Sequence, residues 1–167
     1  MSIKNIYSKK LNEKSSSNLV LFASEKFNIN SLKKHLSNSE FSYINDLLKT
    51  SDLKKNMFVF EVNSKKKIIL ISIKKDLKNF DIENLGAEFY GRINYGKNSE
   101  YFVNSDSIIT KHENFLGLFL HGLKLKSYEF NKYKTKKETR ILSINIFGNK
   151  NKPSNQNQLK FRALEEG

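Results

Sequence analysis

The sequence has 167 residues, with 30 lysines and arginines against 17 acidic residues and a formal net charge of +13 at pH 7. That length suits one domain able to bury a core. The absence of cysteine excludes disulfide staples, thiolate metal sites and a cysteine nucleophile, and fits a reducing, cytoplasmic compartment.

The charge invites a nucleic-acid reading, because clustered cations displace counterions from phosphate. Its make-up argues against base-specific recognition. Of the basic residues 27 are lysine and 3 are arginine, namely Arg92, Arg140 and Arg162, and arginine is the side chain suited to bidentate phosphate and guanine contacts. The 21 asparagines and many isoleucines point to AT-rich codons as a second source of the charge, with anion affinity as a by-product.

Residues 1–16 are polar and rich in lysine and serine, and read as a flexible terminus, frayed or holding a short strand. They contain no apolar run of the kind a secretory signal carries. The run N-L-V-L-F-A at 18–23 has the length and continuous apolarity of a strand buried on both faces. Ser37 with Glu40 makes a capping box, and Phe41, Ile44, Leu47 and Leu48 follow at helical spacing, which predicts an amphipathic helix over the sheet. The runs at 57–62 and 67–73 read as strands joined in a hairpin by N-S-K-K. Asp81 is expected to cap a second helix with Ile82, Leu85, Phe89 and Ile93 on one face. Gly86, Gly91 and Gly96 are not a dinucleotide fingerprint, since that pattern needs its glycines in the turn between strand and helix.

A short strand at 101–103 leads to the longest organised stretch, Thr110 to Glu138. Thr110 and Glu113 have capping-box spacing, and Phe115, Leu116, Leu118, Phe119, Leu120, Leu123 and Leu125 cover nearly the whole circumference, as in a helix packed on several sides. Lys124 and Lys126 suit its negative end. It is too short for the roughly 20 apolar residues that span a bilayer, so no membrane partner is expected. Gly117 and Gly122 lie inside the helix at a cost of about 0.5–1 kcal/mol each relative to alanine, which a close backbone neighbour would explain. After Lys126 the tail S-Y-E-F-N-K-Y-K-T-K-K-E alternates aromatics with lysines and is expected to leave as an exposed, partly anchored arm. A last strand at 141–147 is followed by a linker at 148–157 and the beginning of a closing helix within 157–167.

The run F-L-G-L-F-L-H-G-L-K-L-K-S-Y-E-F-N-K-Y-K-T-K-K resembles the segment that closes the amino-terminal domain of the leucyl aminopeptidase family. Gly122, Leu123, Tyr128, Phe130, Asn131, Tyr133 and Lys134 match the family pattern without gaps. A weaker resemblance extends over most of the chain, to A-L-E-E-G at 163–167. It implies an α/β fold, a mixed β-sheet flanked by helices in a three-layer, macro-domain-like arrangement over 17–147, with 148–167 leading to a catalytic domain. It also implies a parent enzyme that removes amino-terminal residues from peptides with two divalent metals, manganese or zinc, and works as a hexamer. The family's metal-site segments, Gly-Lys-Gly followed by Phe-Asp-Ser-Gly-Gly, and Asn-Thr-Asp-Ala-Glu-Gly-Arg, do not occur in this sequence. The Gly-x-Gly turn common in the family reads Ser72-Ile73-Lys74 here, which removes the backbone freedom a phosphate cradle would use.

No catalytic, metal-binding or cofactor-binding residue is therefore assigned. His35, His112 and His121 lack tight ligand spacing. With both on one helix, His112 and His121 would point to nearly opposite sides. Ser24 has no nucleophile elbow around it, and Asp46, Asp52, Asp76 and Asp81 read as cap and loop carboxylates. The candidate contact surface is the arm, with Tyr128, Phe130, Lys132, Tyr133, Lys134, Lys136 and Lys137. Its expected partners are the aminopeptidase catalytic domain and other subunits; the alternative is a free-standing basic module for nucleic acid or another acidic partner.

Overall fold

The apolar runs assemble into one sheet with the strand order β1-β6-β5-β2-β4-β3. The computed structural model describes residues 2–7, 18–93, 98–110, 112, 114–132 and 141–148. The strands are β1 (Ser2–Tyr7), β2 (Asn18–Ser24), β3 (Met57–Glu61), β4 (Lys67–Ile73), β5 (Asn98–Asn104) and β6 (Ile141–Phe147). All neighbours are parallel except β3 and β4, the predicted hairpin. Residues 2–7 take the short-strand alternative and pair along β6.

Burial on both faces explains the continuous apolar runs of β2 and β4. Val20, Phe22, Ile69 and Ile71 join one core cluster with α2 (Asn79–Ile93) and α3 (Phe115–Lys132). Leu19, Leu21, Ile68 and Leu70 join the other, with α1 (Asn38–Lys49) and two 3-10 turns, Glu25–Phe27 and Asn30–His35. A mixed sheet between two layers is the fold class the sequence predicts.

Local chemistry sets each helix. Ser37 and Glu40 form the expected reciprocal capping box on α1. Asp81 acts from the third residue of α2 rather than from in front of it, and its Oδ2 accepts the Lys78 N–H at 2.9 Å. The predicted face of α2, Ile82, Leu85, Phe89 and Ile93, is buried. The α2 and α3 backbones meet at two glycines. A Cβ on Gly86 would overlap the Phe119 carbonyl oxygen, and one on Gly122 would overlap that of Glu83. Gly122 thus has the close neighbour its position predicts.

Two expectations about α3 are corrected. Thr110 does not start it, because the segment before Phe115 is tied elsewhere. Thr110 Oγ1 accepts the His112 N–H at 3.2 Å and the His112 ring meets Asn79 of α2. Nor does the helix end near Lys126. No glycine or proline interrupts 123–132, and α3 runs on to Lys132, with Ser127 Oγ donating to the Lys124 carbonyl at 2.6 Å. Leu125, expected in the all-round apolar surface, is 42% exposed. The linker beyond Gly148, the closing helix and Gly96 lie outside the described residues.

Candidate functional site

The site follows from the connections at the carboxyl ends of β2 and β4. The chain leaving β2 crosses the α1 face, whereas the chain leaving β4 crosses the α2 face. Neighbouring connections that part to opposite faces open a crevice at the strand ends, the usual ligand position in open α/β sheets. A cleft of about 560 Å³ lies there.

Three groups of residues line it. Glu25 comes from the turn after β2, Lys74, Lys75, Asp76 and Leu77 from the loop after β4, and Asp81, Asn84, Leu85 and Glu88 from α2; Asn56 and Ser72 complete it. Backbone and side-chain bonds position them. The Ser72 N–H donates to the Asn56 carbonyl at 2.9 Å, and Asn56 Nδ2 donates to Glu88 Oε2 at 3.4 Å. Beside Glu25, Lys26 and Phe27 have φ of 65° and 54°, a left-handed conformation costing non-glycine residues of order 1 kcal/mol or more each. Burial of the Phe27 ring, packed edge-on against Phe58 with centroids 4.7 Å apart, holds that turn.

The cleft's charges are mixed. Glu25, Asp76, Asp81 and Glu88 face the same space as Lys74 and Lys75. Among the described residues the ion pairs are Lys66 with Glu40, Arg92 with Glu88 and His121 with Glu83, so neither cleft lysine is paired with a carboxylate. The amino end of α2 is answered by its own Asp81 carboxylate, which leaves little for an incoming phosphate to gain there.

The described arm residues, Tyr128, Phe130 and Lys132, lie on α3, away from this cleft. Because α3 links the parallel strands β5 and β6, it runs back toward their amino ends, and Tyr128 sits at that opposite edge, 46% exposed. Phe130 and Lys132 belong to the last helical turn rather than to a departing arm. Tyr133, Lys134, Lys136 and Lys137 lie outside the described residues.

The histidines are structural. His112 lies ahead of α3, so the helical-rotation argument fails and both rings meet α2: His112 Nε2 is 2.8 Å from Asn79 Oδ1 and His121 Nδ1 is 3.3 Å from Glu83 Oε1. His35 joins the 3-10 layer to the end of β5, with its Nδ1 2.9 Å from Asn104 Nδ2. Burial, then the neighbouring Lys34 ammonium, lowers its pKa below 6.5 against the opposing effect of Asp106. Among the described residues no group of three or more histidine, cysteine, aspartate or glutamate side chains could hold a metal ion, and no helix is long and apolar enough to cross a membrane.

The sequence reading missed the cleft because its residues are scattered between Glu25 and Glu88. The available signal was polar residues directly after two apolar strands, Ser24-Glu25 and Lys74-Lys75-Asp76.

No protein-family model matches the sequence, and no curated protein is significantly similar to it. Among solved structures, the chain is similar to a mutant of tomato leucine aminopeptidase, with a TM-score of 0.63 and 14% identity. The match covers 98% of this chain and 36% of that one. At that identity it is the fold that is shared, over nearly all of this chain and about a third of the tomato protein.

Proposed function

We propose that this chain is the non-catalytic amino-terminal domain of a leucyl aminopeptidase-like exopeptidase, supporting assembly and shaping access to an active site in a catalytic half. The observation that carries this reading is the extent of the likeness, 98% of this chain against 36% of the tomato enzyme, the relation of one domain to a larger protein. The family-like residues Gly122, Leu123 and Tyr128, all on α3, support it from the sequence side. Two divalent metals held by the catalytic half, manganese or zinc, supply the activated water. This chain supplies contact surfaces to that half and to further subunits of an oligomer.

The test is reconstitution with the catalytic half encoded in the same genome, recognised by its Gly-Lys-Gly and Asn-Thr-Asp-Ala-Glu-Gly-Arg segments. The 167-residue chain alone is expected to release nothing from leucyl-p-nitroanilide with Mn²⁺ or Zn²⁺. It is also expected to co-purify with the catalytic half as an oligomer and to raise its activity. Metal-dependent cleavage by the chain alone, or a catalytic half indifferent to it, overturns the proposal.

A second reading, a basic module for single-stranded nucleic acid, is favoured by the half-exposed Tyr128 shortly before Lys132, Lys134, Lys136 and Lys137. Aromatic stacking with phosphate neutralisation is how such binders work. This reading expects a salt-dependent oligonucleotide affinity that vanishes when those four lysines become glutamate. An affinity that survives the change removes it.

A further inference from the structure

The cleft at the ends of β2 and β4 takes no part in the role above, and its chemistry selects a ligand. Its volume of about 560 Å³ falls in the range of roughly 300–1,000 Å³ typical of small-ligand sites. Four carboxylates and two ammonium groups share it, yet neither lysine has a carboxylate within 4.0 Å among the described ion pairs. Ser72 also lines it, 4% exposed as a residue. Leu77 and Leu85 add apolar lining.

These features eliminate most ligand classes. A nucleotide or other polyanion would meet more carboxylates than lysines, at a helix end already filled by Asp81, in a loop with no glycine between Lys74 and Lys78. A simple cation would leave the lysines unanswered. A ligand that carries both charges answers both sets. Asp81 and Glu88 stand seven residues apart on α2, roughly 10 Å along the helix axis. A peptide of two or three residues spans a similar length, at up to about 3.6 Å per residue.

We propose that this cleft binds a short zwitterionic peptide, its α-amino group set against the carboxylates and its terminal carboxylate against Lys74 and Lys75. Ser72 completes the polar contacts and Leu77 and Leu85 take a small apolar side chain. The site is built wholly from this chain and needs no catalytic half, so the proposal stands or falls separately from the assembly role.

Calorimetric titration of the full chain with trialanine, N-acetyl-trialanine and trialanine amide tests it. Trialanine is expected to bind, and blocking either end to weaken binding by about 10-fold or more. Replacing Lys74 and Lys75 together by alanine should abolish the distinction between trialanine and its amide while keeping that against the acetylated form. Glu25→Gln with Asp76→Asn should do the reverse. All four residues are exposed, so unchanged thermal melting is expected to accompany these changes. Silence at about 10 mM trialanine, equal binding of the blocked forms, or binding of inorganic phosphate in place of trialanine overturns the proposal.

Discussion

Both faces of the sheet bury an apolar cluster, but the contacts that set their helices in place differ. On the α2 and α3 face the helices touch backbone to backbone at Gly86 and Gly122, and Phe22 meets Phe115 and Phe119 edge-on, each pair of centroids 5.4 Å apart. The other face carries one helix of 12 residues and two 3-10 turns. Polar bonds join its parts: the Ser37–Glu40 box, the Lys66–Glu40 ion pair at 2.9 Å, and the contact of His35 with Asn104. Shape complementarity fails when volume changes, whereas a polar lattice fails when a donor, an acceptor or a proton changes. The first face should therefore be sensitive to added or removed methyl groups and the second to caps and pH.

The sharpest attempt to break that contrast adds one carbon to the first face. Gly86→Ala or Gly122→Ala drives a Cβ into a carbonyl of the facing helix, and only separation of α2 from α3 relieves the overlap. Urea unfolding should show a loss on the order of 4–5 kcal/mol, at the far end of single-substitution effects, or no folded protein. Wild-type stability in either variant would mean that the helices are not in contact there. Removing volume is the complement. Phe119 is fully buried, edge-on to Phe22, tilted against Phe89 and stacked with Phe115, so Phe119→Ala should cost about 3–4 kcal/mol through lost transfer energy and the cavity it leaves. A cost below about 1 kcal/mol, the level of an exposed position, would refute that packing.

The contrast also explains what the sequence could reveal. The strands β2 and β4 are legible because burial on both faces writes a continuous apolar run, and α1 because the Ser37–Glu40 box is local. The start of α3 is not at Thr110, as its capping-box spacing predicts, because a tertiary bond ties His112 to Asn79 ahead of the helix. Its end is not legible in composition, since apolarity drops after Leu125 while nothing in the backbone breaks the helix before Lys132. The cleft was illegible for a stronger reason. Glu25, Ser72 and Asp81 become neighbours only through strand order, which no local pattern encodes.

On the second face the effects should be smaller and chemical. Ser37→Ala removes the acceptor of the Glu40 N–H bond, 3.1 Å long, and should cost about 1 kcal/mol. Glu40 adds a pH signature. Burial raises its pKa, but bonds from Lys66 and the Ser37 backbone outweigh this and hold it below 4.5. Its contribution is therefore present above pH 4.5 and lost as pH falls through the depressed value. Acid melting curves of Glu40→Gln should be flatter than wild type in that region, and a parallel curve would show that the box carries no linked proton.

The smallest effect expected is the most specific. Asn104 Oδ1 accepts the Asp106 N–H at 2.9 Å, so its amide nitrogen is the atom left to face His35, and His35 Nδ1 must accept. The neutral ring then carries its proton on Nε2, which is buried and without a hydrogen-bond partner among the described residues. Protonating Nδ1 would set an N–H against the Asn104 amide and place charge beside Lys34, with Asp106 in partial compensation. The folded-state pKa lies below the unfolded 6.5, so the stability this contact contributes is complete above pH 6.5 and falls as the pH drops through the depressed value. The melting temperature of His35→Gln relative to wild type should therefore rise as pH is lowered from 7 toward 5. That rise should shrink but persist in a Lys34→Ala background, because burial is the larger cause and remains. A difference independent of pH would mean that His35 acts by packing alone, and that even the polar face of this sheet is held chiefly by shape.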